Sequence, residues 1–309
     1  MNSSPLVVNS ILVLVAFLWG VGFAPQRLGM ETFEAMAFNA WRFGFGALTL
    51  VPVLFLVRLK FAEVFNIKVV LGGLVMGLIL TAGAGLQQVS LGMTKVANVA
   101  FITGFYVILV PVIGLLLAHR YPLITWIGGL LALIGLGFLS GFNGEFNWQD
   151  SGLQGDFLAL LGALFWALHL LVITYYVARY NQFVLAFFQF VFCALFSAML
   201  SVGFETQLTP TGDIGYVWAL LNGVIVVGIA YTLQVVALKN ARPFVAAIIL
   251  SLESVFGACI GYWLFEEVLG FYGLIGAALM LLGCVMSQWP EKQKPPISEK
   301  SKPSITEVL

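Results

Sequence analysis

Charged residues are scarce in this chain of 309 residues. They make up 9% of it, against about 25% in ordinary soluble domains, while 61% of the residues are hydrophobic. A water-soluble fold cannot bury that much apolar surface, so the composition predicts a membrane protein that contacts the lipid bilayer. The 14 basic and 14 acidic side chains cancel, so no basic excess points to nucleic acid as a partner.

Cysteine and histidine are also rare, which excludes several kinds of chemistry. Three cysteines lie singly inside apolar runs, so their spacing fits neither a disulfide framework nor a zinc site. Two histidines lie in distant segments, and neither Gly-x-Ser-x-Gly nor His-Glu-x-x-His occurs. These are the usual signatures of a nucleophile or a catalytic metal. We therefore predict no enzymatic activity, no cofactor and no metal.

The N-terminus lacks the basic region of a cleaved signal peptide, so its apolar stretch is interpreted as a retained first span. A bilayer requires about 20 apolar residues per helix. Charges, Pro and Asn/Gly clusters divide the chain into ten such segments, and we predict an all-α membrane protein of ten transmembrane helices. The approximate cores are 7–25, 36–57, 69–90, 96–118, 122–141, 154–176, 183–203, 216–238, 244–265 and 270–289. Residues 290–309 are polar and rich in Pro and Lys, which predicts a disordered tail.

The basic residues predict the orientation of these spans. With the N-terminus in the cytoplasm, only Arg27 and Lys95 lie in outer connections. Eleven others lie in inner connections or the tail, and the positive-inside rule then places both termini in the cytoplasm. These eleven are Arg58, Lys60, Lys68, Arg120, Arg179, Lys239, Arg242, Lys292, Lys294, Lys300 and Lys302.

The chain aligns with itself at a shift of 147 residues. This shift superposes Trp19 on Trp166 and Leu86-Gln87 on Leu233-Gln234. It predicts one five-helix repeat over residues 1–147 and a second over 148–289. Because five is odd, the second repeat must enter the membrane from the opposite side. Inverted halves can expose a midplane site alternately to each face, so the repeat favours a transporter.

The local motifs resemble the paired EamA repeats of the drug/metabolite transporter superfamily. They are "LVLVAFLWGVGFA" with "LALLGALFWALHLL", the second helix with Arg42, "LQQVSLGMTKVANVAFITGFYVILVPVIGLLL" and "AAIILSLESVFGACIGYWLFEEVLGFYGLIGAALMLLG". The resemblance covers roughly residues 8–288. It implies a ten-helix carrier of the inner membrane, in many members an exporter of amino acids or other small metabolites.

The chain departs from the family pattern in the ninth helix. That helix commonly reads Leu-Glu-Pro-Val, whereas residues 252–255 here read Leu-Glu-Ser-Val. The missing proline weakens the expectation of a kink at this point. Pro111, in "LVPV" of the fourth helix, is expected to keep the related break in the first half.

Arg42 is an ionisable residue inside a span, where the insertion cost is about 2.5–3.5 kcal/mol. One interpretation is structural, with the side chain extending to the outer interface or pairing with a carboxylate. The other is functional, with the guanidinium binding an anionic group of the substrate. The shift places Gln189 at the equivalent depth of the second half.

Glu253, near the middle of the ninth helix, is the second such residue. It is either a hydrogen-bonded residue at a helix contact or a group that meets an ammonium or titrates during coupling. The remaining candidates for the substrate pathway are polar or aromatic. Each could instead form hydrogen bonds or packing contacts between helices. They are Gln87, Gln88, Asn98, Thr103, Tyr106, Trp166, His169, Gln189 and Gln234.

A channel or facilitator without alternating access is the closest alternative function, but a channel more often shows a pore loop or rings of like charge. The expected partners are therefore a small-molecule substrate and the lipid bilayer. A homodimer is left open.

Overall fold

The computed structural model describes residues 4–57, 61–94, 96–116, 121–139, 152–265 and 270–287. Its regular elements in these ranges are all helices, as expected where lipid offers no partner for backbone N–H and C=O groups. They are α1 (Pro5–Gly29), α2 (Ala35–Leu56), α3 (Phe61–Val64), α4 (Ile67–Met93), α5 (Val96–Thr103), α6 (Tyr106–Leu116), α7 (Leu123–Leu139), α8 (Leu153–Val177), α9 (Gln182–Phe204), α10 (Ile214–Leu221), a π-helix (Asn222–Tyr231), α11 (Thr232–Leu238), α12 (Pro243–Leu250), α13 (Glu253–Phe265) and α14 (Phe271–Ser287).

Within these ranges, seven helical stretches are long and apolar enough to cross a membrane. They are α1, α2, α4, α8, α9, the stretch Ile214–Leu238 and the stretch Pro243–Leu264. The helices α6, α7 and α14 are apolar but shorter. The described part of the chain is therefore all-helical, with the apolar spans of a multi-pass membrane protein. The predicted tail lies outside the described ranges, and so do Arg58, Lys60 and Arg120.

Two helices are interrupted at equivalent points of the two halves. The first interruption lies at Gly104 and Phe105, between α5 and α6, and the second at Ser251 and Leu252, between α12 and α13. The second pair follows the first by the 147-residue shift. The backbone bonding repeats as well, because the amides of Phe105 and Leu252 each donate to the carbonyl oxygen three residues earlier, at 3.1 Å. Both repeats therefore contain the same tight turn.

Neither interruption lies at a proline. The expected break at Pro111 is not found, since α6 continues through that residue. In the second half, Ser254 replaces the family's proline, yet the helix is broken just before it. The Ser251 hydroxyl donates to the carbonyl of Ile248 at 2.8 Å, a bond that competes with the helical ladder. The Ser254 hydroxyl donates to the carbonyl of Ala100 at 3.0 Å, which joins α13 to α5.

Helices that correspond under the shift make corresponding contacts. Helix α1 packs on α13, and its counterpart α8 packs on α5 and α6. Helix α4 packs on α8 and α9, while its counterpart, formed by α10, the π-helix and α11, packs on α1 and α2. Helices α2 and α9 pack on each other, and so do α7 and α14. This exchange of partners joins the two halves into one bundle.

The π-helix breaks this correspondence. Its ten residues are matched in the first half by residues 75–84, which are regular α-helix in α4. π-Helical turns are rare and often lie at functional sites. Here the segment begins at Asn222 and ends at Tyr231, and both side chains reach the site described below.

Two connectors, one from each half, are joined by reciprocal carboxylate contacts. Glu205, at the end of α9, accepts from the amides of Met36 at 2.6 Å and Ala37 at 2.8 Å, in the first turn of α2. Glu34, just before α2, accepts from the amide of Thr206 at 3.1 Å and from its hydroxyl. A carboxylate is favoured at a helix N-terminus, where unpaired amides carry partial positive charge. We call these contacts the connector clasp.

Close approach between α4 and α9 depends on Gly77. A Cβ added to Gly77 would lie 2.7 Å from Cβ of Phe192 and 2.9 Å from the carbonyl oxygen of Gln189. Gly44, inside α2, would meet nothing within 4 Å. Comparing Gly77 with Gly44 thus distinguishes a glycine that helix packing requires from one that only lowers helix propensity.

We expect Gly77→Ala to destabilise the protein, by about 1–3 kcal/mol, because α4 and α9 would have to move apart. Gly44→Ala, the matched control, should be neutral or stabilising, since alanine is about 1 kcal/mol better than glycine inside a helix. Thermal unfolding of both purified variants in detergent measures the difference. Equal melting temperatures would contradict the packing assigned to Gly77.

Candidate functional site

A cavity of about 30 Å³ lies between the two halves of the bundle. This volume has room for a few water molecules and is far smaller than the pockets of about 300–1,000 Å³ that commonly hold small-molecule ligands. Its wall combines aromatic, amide and charged side chains. The lining residues are Trp19, Phe23, Gln26, Arg42, Gln87, Tyr106, Trp166, Leu170, Val226, Tyr231, Gln234, Leu250 and Glu253.

Much of this wall consists of residues related by the 147-residue shift. Four pairs contribute both members to the lining. The pairs are Trp19 with Trp166, Phe23 with Leu170, Gln87 with Gln234, and Tyr106 with Glu253. The last pair follows directly from the interrupted helices, because Tyr106 is the first residue of α6 and Glu253 the first of α13. The cavity thus lies where equivalent parts of the two repeats meet.

Arg42 is buried in the protein, with 1% of its surface exposed. It does not extend to the membrane surface, and its partners are amides rather than carboxylates. Its Nε donates to Oδ1 of Asn39 at 2.7 Å, and its Nη1 donates to Oε1 of Gln26 at 3.0 Å and Oδ1 of Asn222 at 3.2 Å. The guanidinium carbon also lies 4.8 Å from the ring centre of Phe43, within range of a cation–π interaction.

Glu253 is 6% exposed and lines the same cavity. The hydroxyl of Tyr106 lies near this carboxyl, and within the described residues it has no partner of standard hydrogen-bond geometry. A hydroxyl at this point can adjust to either protonation state of a carboxyl, since it both donates and accepts. The first residues of α6 and α13 therefore place an acid and a phenol side by side.

The glutamine candidates divide between the cavity and the packing around it. Gln87 lines the cavity and donates through Nε2 to Oγ1 of Thr103 at 3.3 Å. Gln234 lines it as well, and its Oε1 has no partner within the described residues. Gln88 is fully buried and donates to the carbonyl of Gln26 at 3.4 Å. Thr103 and Gln88 thus support the wall without being among its described lining residues.

His169 and Gln189 form a separate polar pair inside the second half. His169 Nε2 lies 3.1 Å from Oε1 of Gln189, and both side chains are fully buried. Neither residue is among the described lining residues. Asn98 lies on α5, and its side chain is outside the described part of the structure.

Three aromatic rings line part of the cavity. The ring of Tyr231 lies 4.9 Å from that of Trp19 and 6.1 Å from that of Trp166, measured between ring centres. The indole N–H groups of both tryptophans are buried and without a partner in the described residues. Trp166 therefore borders the cavity, and its role in substrate contact stays a prediction.

Six of the lining residues are pathway candidates predicted from the sequence, but other residues that shape the site were not predicted. Gln26, Asn39 and Asn222 hold Arg42, and Tyr231 contacts both cavity tryptophans. A signal existed for the three amides, because each is a polar residue inside an apolar span. Tyr231 had no such signal, since aromatic residues are common in apolar helices.

Comparison with known proteins identifies the family. The model of the EamA-like transporter family matches residues 7–141 and again residues 153–289. The chain is 31% identical over 280 residues, 89% of its length, to an uncharacterized transporter of Archaeoglobus fulgidus, of which the match covers 83%. A solved crystal structure superposes with a TM-score of 0.77 at 18% identity, over 94% of this chain and 99% of the other, which shows a shared fold. The chain belongs to the EamA-like transporter family and is a multi-pass membrane transporter.

Proposed function

We propose that the protein is a secondary carrier that moves small organic metabolites by alternating access. The observation that carries this proposal is the cavity between the two halves, lined by four pairs of repeat-related residues. A site shared in this way by two repeats can be opened to one face or the other when the halves rock. The solute would bind against Arg42, Glu253 and the two tryptophans.

The proposal includes ten membrane spans in two inverted repeats. Its support is the exchange of equivalent contacts between the halves and the equivalent interruptions of two helices. Each interrupted helix pair, α5 with α6 and α12 with α13, would then count as one broken span. Broken helices at the bilayer midplane are a common way to build a transporter site, because they free backbone groups for the solute.

Sidedness and direction are part of the same proposal. The basic residues support cytoplasmic termini, and the resemblance to metabolite exporters supports the inner membrane and outward transport. In this orientation the connector clasp lies on the outer face. It joins the first half to the second there, so it would have to open before solute could leave outward. No chemical step on the solute is proposed.

Glu253 is the group that could link transport to a proton gradient. It is a carboxyl at the start of α13, buried in the wall of the cavity beside Tyr106. When the cavity opens, water solvates the carboxylate; when it closes, burial favours the neutral acid. A carboxyl whose solvation alternates in this way can gain a proton on one side and release it on the other.

The carrier itself is tested with purified protein in liposomes. We expect saturable uptake of at least one solute from a panel of amino acids, sugars, nucleobases and organic acids. Unlabelled solute on the opposite side should accelerate that uptake, because a carrier returns faster when loaded. Non-saturating flux or ion current without counterflow would indicate a channel instead and would contradict alternating access.

Replacing Glu253 by glutamine should separate coupling from binding. Gln keeps the size of the side chain and removes titration, so we expect Glu253→Gln to lose acceleration of flux by a pH gradient while counterflow exchange persists. Glu31→Gln, a change at an exposed acid, is the control and should behave as the unmodified protein. Normal pH-driven flux by a folded Glu253→Gln carrier would show that Glu253 is a structural residue.

The connector clasp can be tested by weakening one of its carboxylates. Glu205→Gln leaves one amide oxygen to accept two backbone donors and removes the charge, which should cost about 1.5 kcal/mol or more. We expect faster counterflow or easier opening, seen as higher reactivity of an added cysteine at Phe23 toward an external thiol reagent. Asp213→Asn, in the same connector but without a capping bond, is the matched control. Unchanged reactivity in Glu205→Gln would remove the clasp from the gating proposal.

A further inference from the structure

The guanidinium of Arg42 has two N–H groups that no neighbour in the described structure uses. Of its five donors, the one on Nε bonds to Asn39, and Nη1 bonds to Gln26 and Asn222. Nη2 is buried and has no partner in the described residues. Arg42 lines the cavity, and the two N–H groups on Nη2 are the donors that its described neighbours leave unused.

The three amides hold Arg42 without neutralising it. Nε2 of Gln26 and Nδ2 of Asn222 both donate to the carbonyl oxygen of Gly22, each at 3.1 Å. This shared acceptor fixes which end of each amide faces Arg42, so both oxygens point at Nη1. Two neutral acceptors are thus oriented in advance by a single backbone carbonyl.

The positive charge is therefore uncompensated by any described side chain that bonds to Arg42. A buried charge without a counter-ion is costly, and the cost falls when an anion binds beside it. The aromatic ring of Phe43 offsets part of this cost, but it supplies no negative charge. The anion is the component that the arrangement lacks.

This arrangement occurs in only one half of the molecule. At the position equivalent to Arg42, the neutral Gln189 pairs with His169. The positions equivalent to Gln26, Asn39 and Asn222 hold apolar residues. These are Ile173, Ala186 and Val75. The amides thus accompany the guanidinium and are no general feature of the repeat, so the cavity has a single cationic side.

We propose that Nη2 of Arg42 binds a carboxylate group of the transported solute, and that Gln26, Asn39 and Asn222 are positioning residues for this site. The inference rests on the proposed carrier function and names the class of its solute. A monoanion is favoured over a phosphate dianion, because Arg42 supplies a single positive charge, which one negative charge balances. A carboxylate also matches the N–H geometry of a guanidinium.

The decisive variant is Asn39→Asp, which adds the missing counter-charge without removing Arg42. Nδ2 of Asn39 has no partner in the described residues, so the change breaks no hydrogen bond and keeps the acceptor of Arg42 Nε. We therefore expect the variant to fold with an equal or higher melting temperature. Its new carboxylate should compete with a bound anion for the guanidinium.

Binding is measured on purified protein by thermal stabilisation and tryptophan fluorescence, with propionate as the probe and propionamide as its uncharged isostere. Unmodified protein should bind propionate at least about tenfold more tightly than propionamide, and Asn39→Asp should lose this preference. Gln182→Glu adds a carboxylate at the start of α9, outside the described lining of the cavity, and is the matched control. It should retain the preference. Should Asn39→Asp fail to fold, Gln26→Glu supplies the same counter-charge at Nη1.

Three results would overturn the proposal. They are equal stabilisation by propionate and propionamide, undiminished propionate binding by folded Asn39→Asp, and equal or tighter binding of inorganic phosphate or chloride. The assay measures binding without flux, so its failure is distinct from failure of the carrier proposal. A carrier that transports only uncharged solutes would keep its function and lose this site.

Discussion

The arrangement that constrains this molecule most strongly is a buried arginine held by neutral amides. A charged side chain inside a membrane span costs about 2.5–3.5 kcal/mol on insertion scales, and that cost must be met by specific contacts. Here the contacts come from α1 through Gln26, from α2 through Asn39, and from the π-helix of the other half through Asn222. One side chain therefore fixes the relative position of three helices and both repeats, at the wall of the cavity.

The internal repeat is a second constraint on the structure, and the two halves share backbone conformation more closely than they share residue identity. Gly104 and Ser251 are different residue types at equivalent positions of the two repeats, yet the helix is interrupted at both. The first half has a proline seven residues later, and the second half has none. The two repeats share the backbone conformation at the interruption. The two interrupted helices meet between the repeats, and this brings Tyr106 and Glu253 into one cavity.

The sequence predicted the features that repeat or that stand out against lipid. Long apolar runs predicted the helices, and a conspicuous arginine and glutamate inside those runs predicted two cavity residues. The register of the π-helix could not be predicted, because no residue pattern distinguishes ten π-helical residues from the α-helical ones at 75–84. The surroundings of Arg42 were equally inaccessible, since its partners Gln26 and Asn222 are 196 positions apart along the chain and meet only in the folded bundle. Side-chain length suggested that Arg42 could extend to the interface; the nearby amides give it partners inside instead.

The central claim is that the cavity between the repeats opens to both faces of the membrane. Leu250, the last residue of α12, lines this cavity, and a Leu250→Cys variant in a background without native cysteines reports on its access. A membrane-impermeant thiol reagent should modify this cysteine from either face, and more slowly when solute is bound. A second variant that keeps only Cys193, which is buried and outside the described lining, should react from neither face. Modification of Leu250→Cys from one face alone, under every condition of solute and gradient, would contradict alternating access.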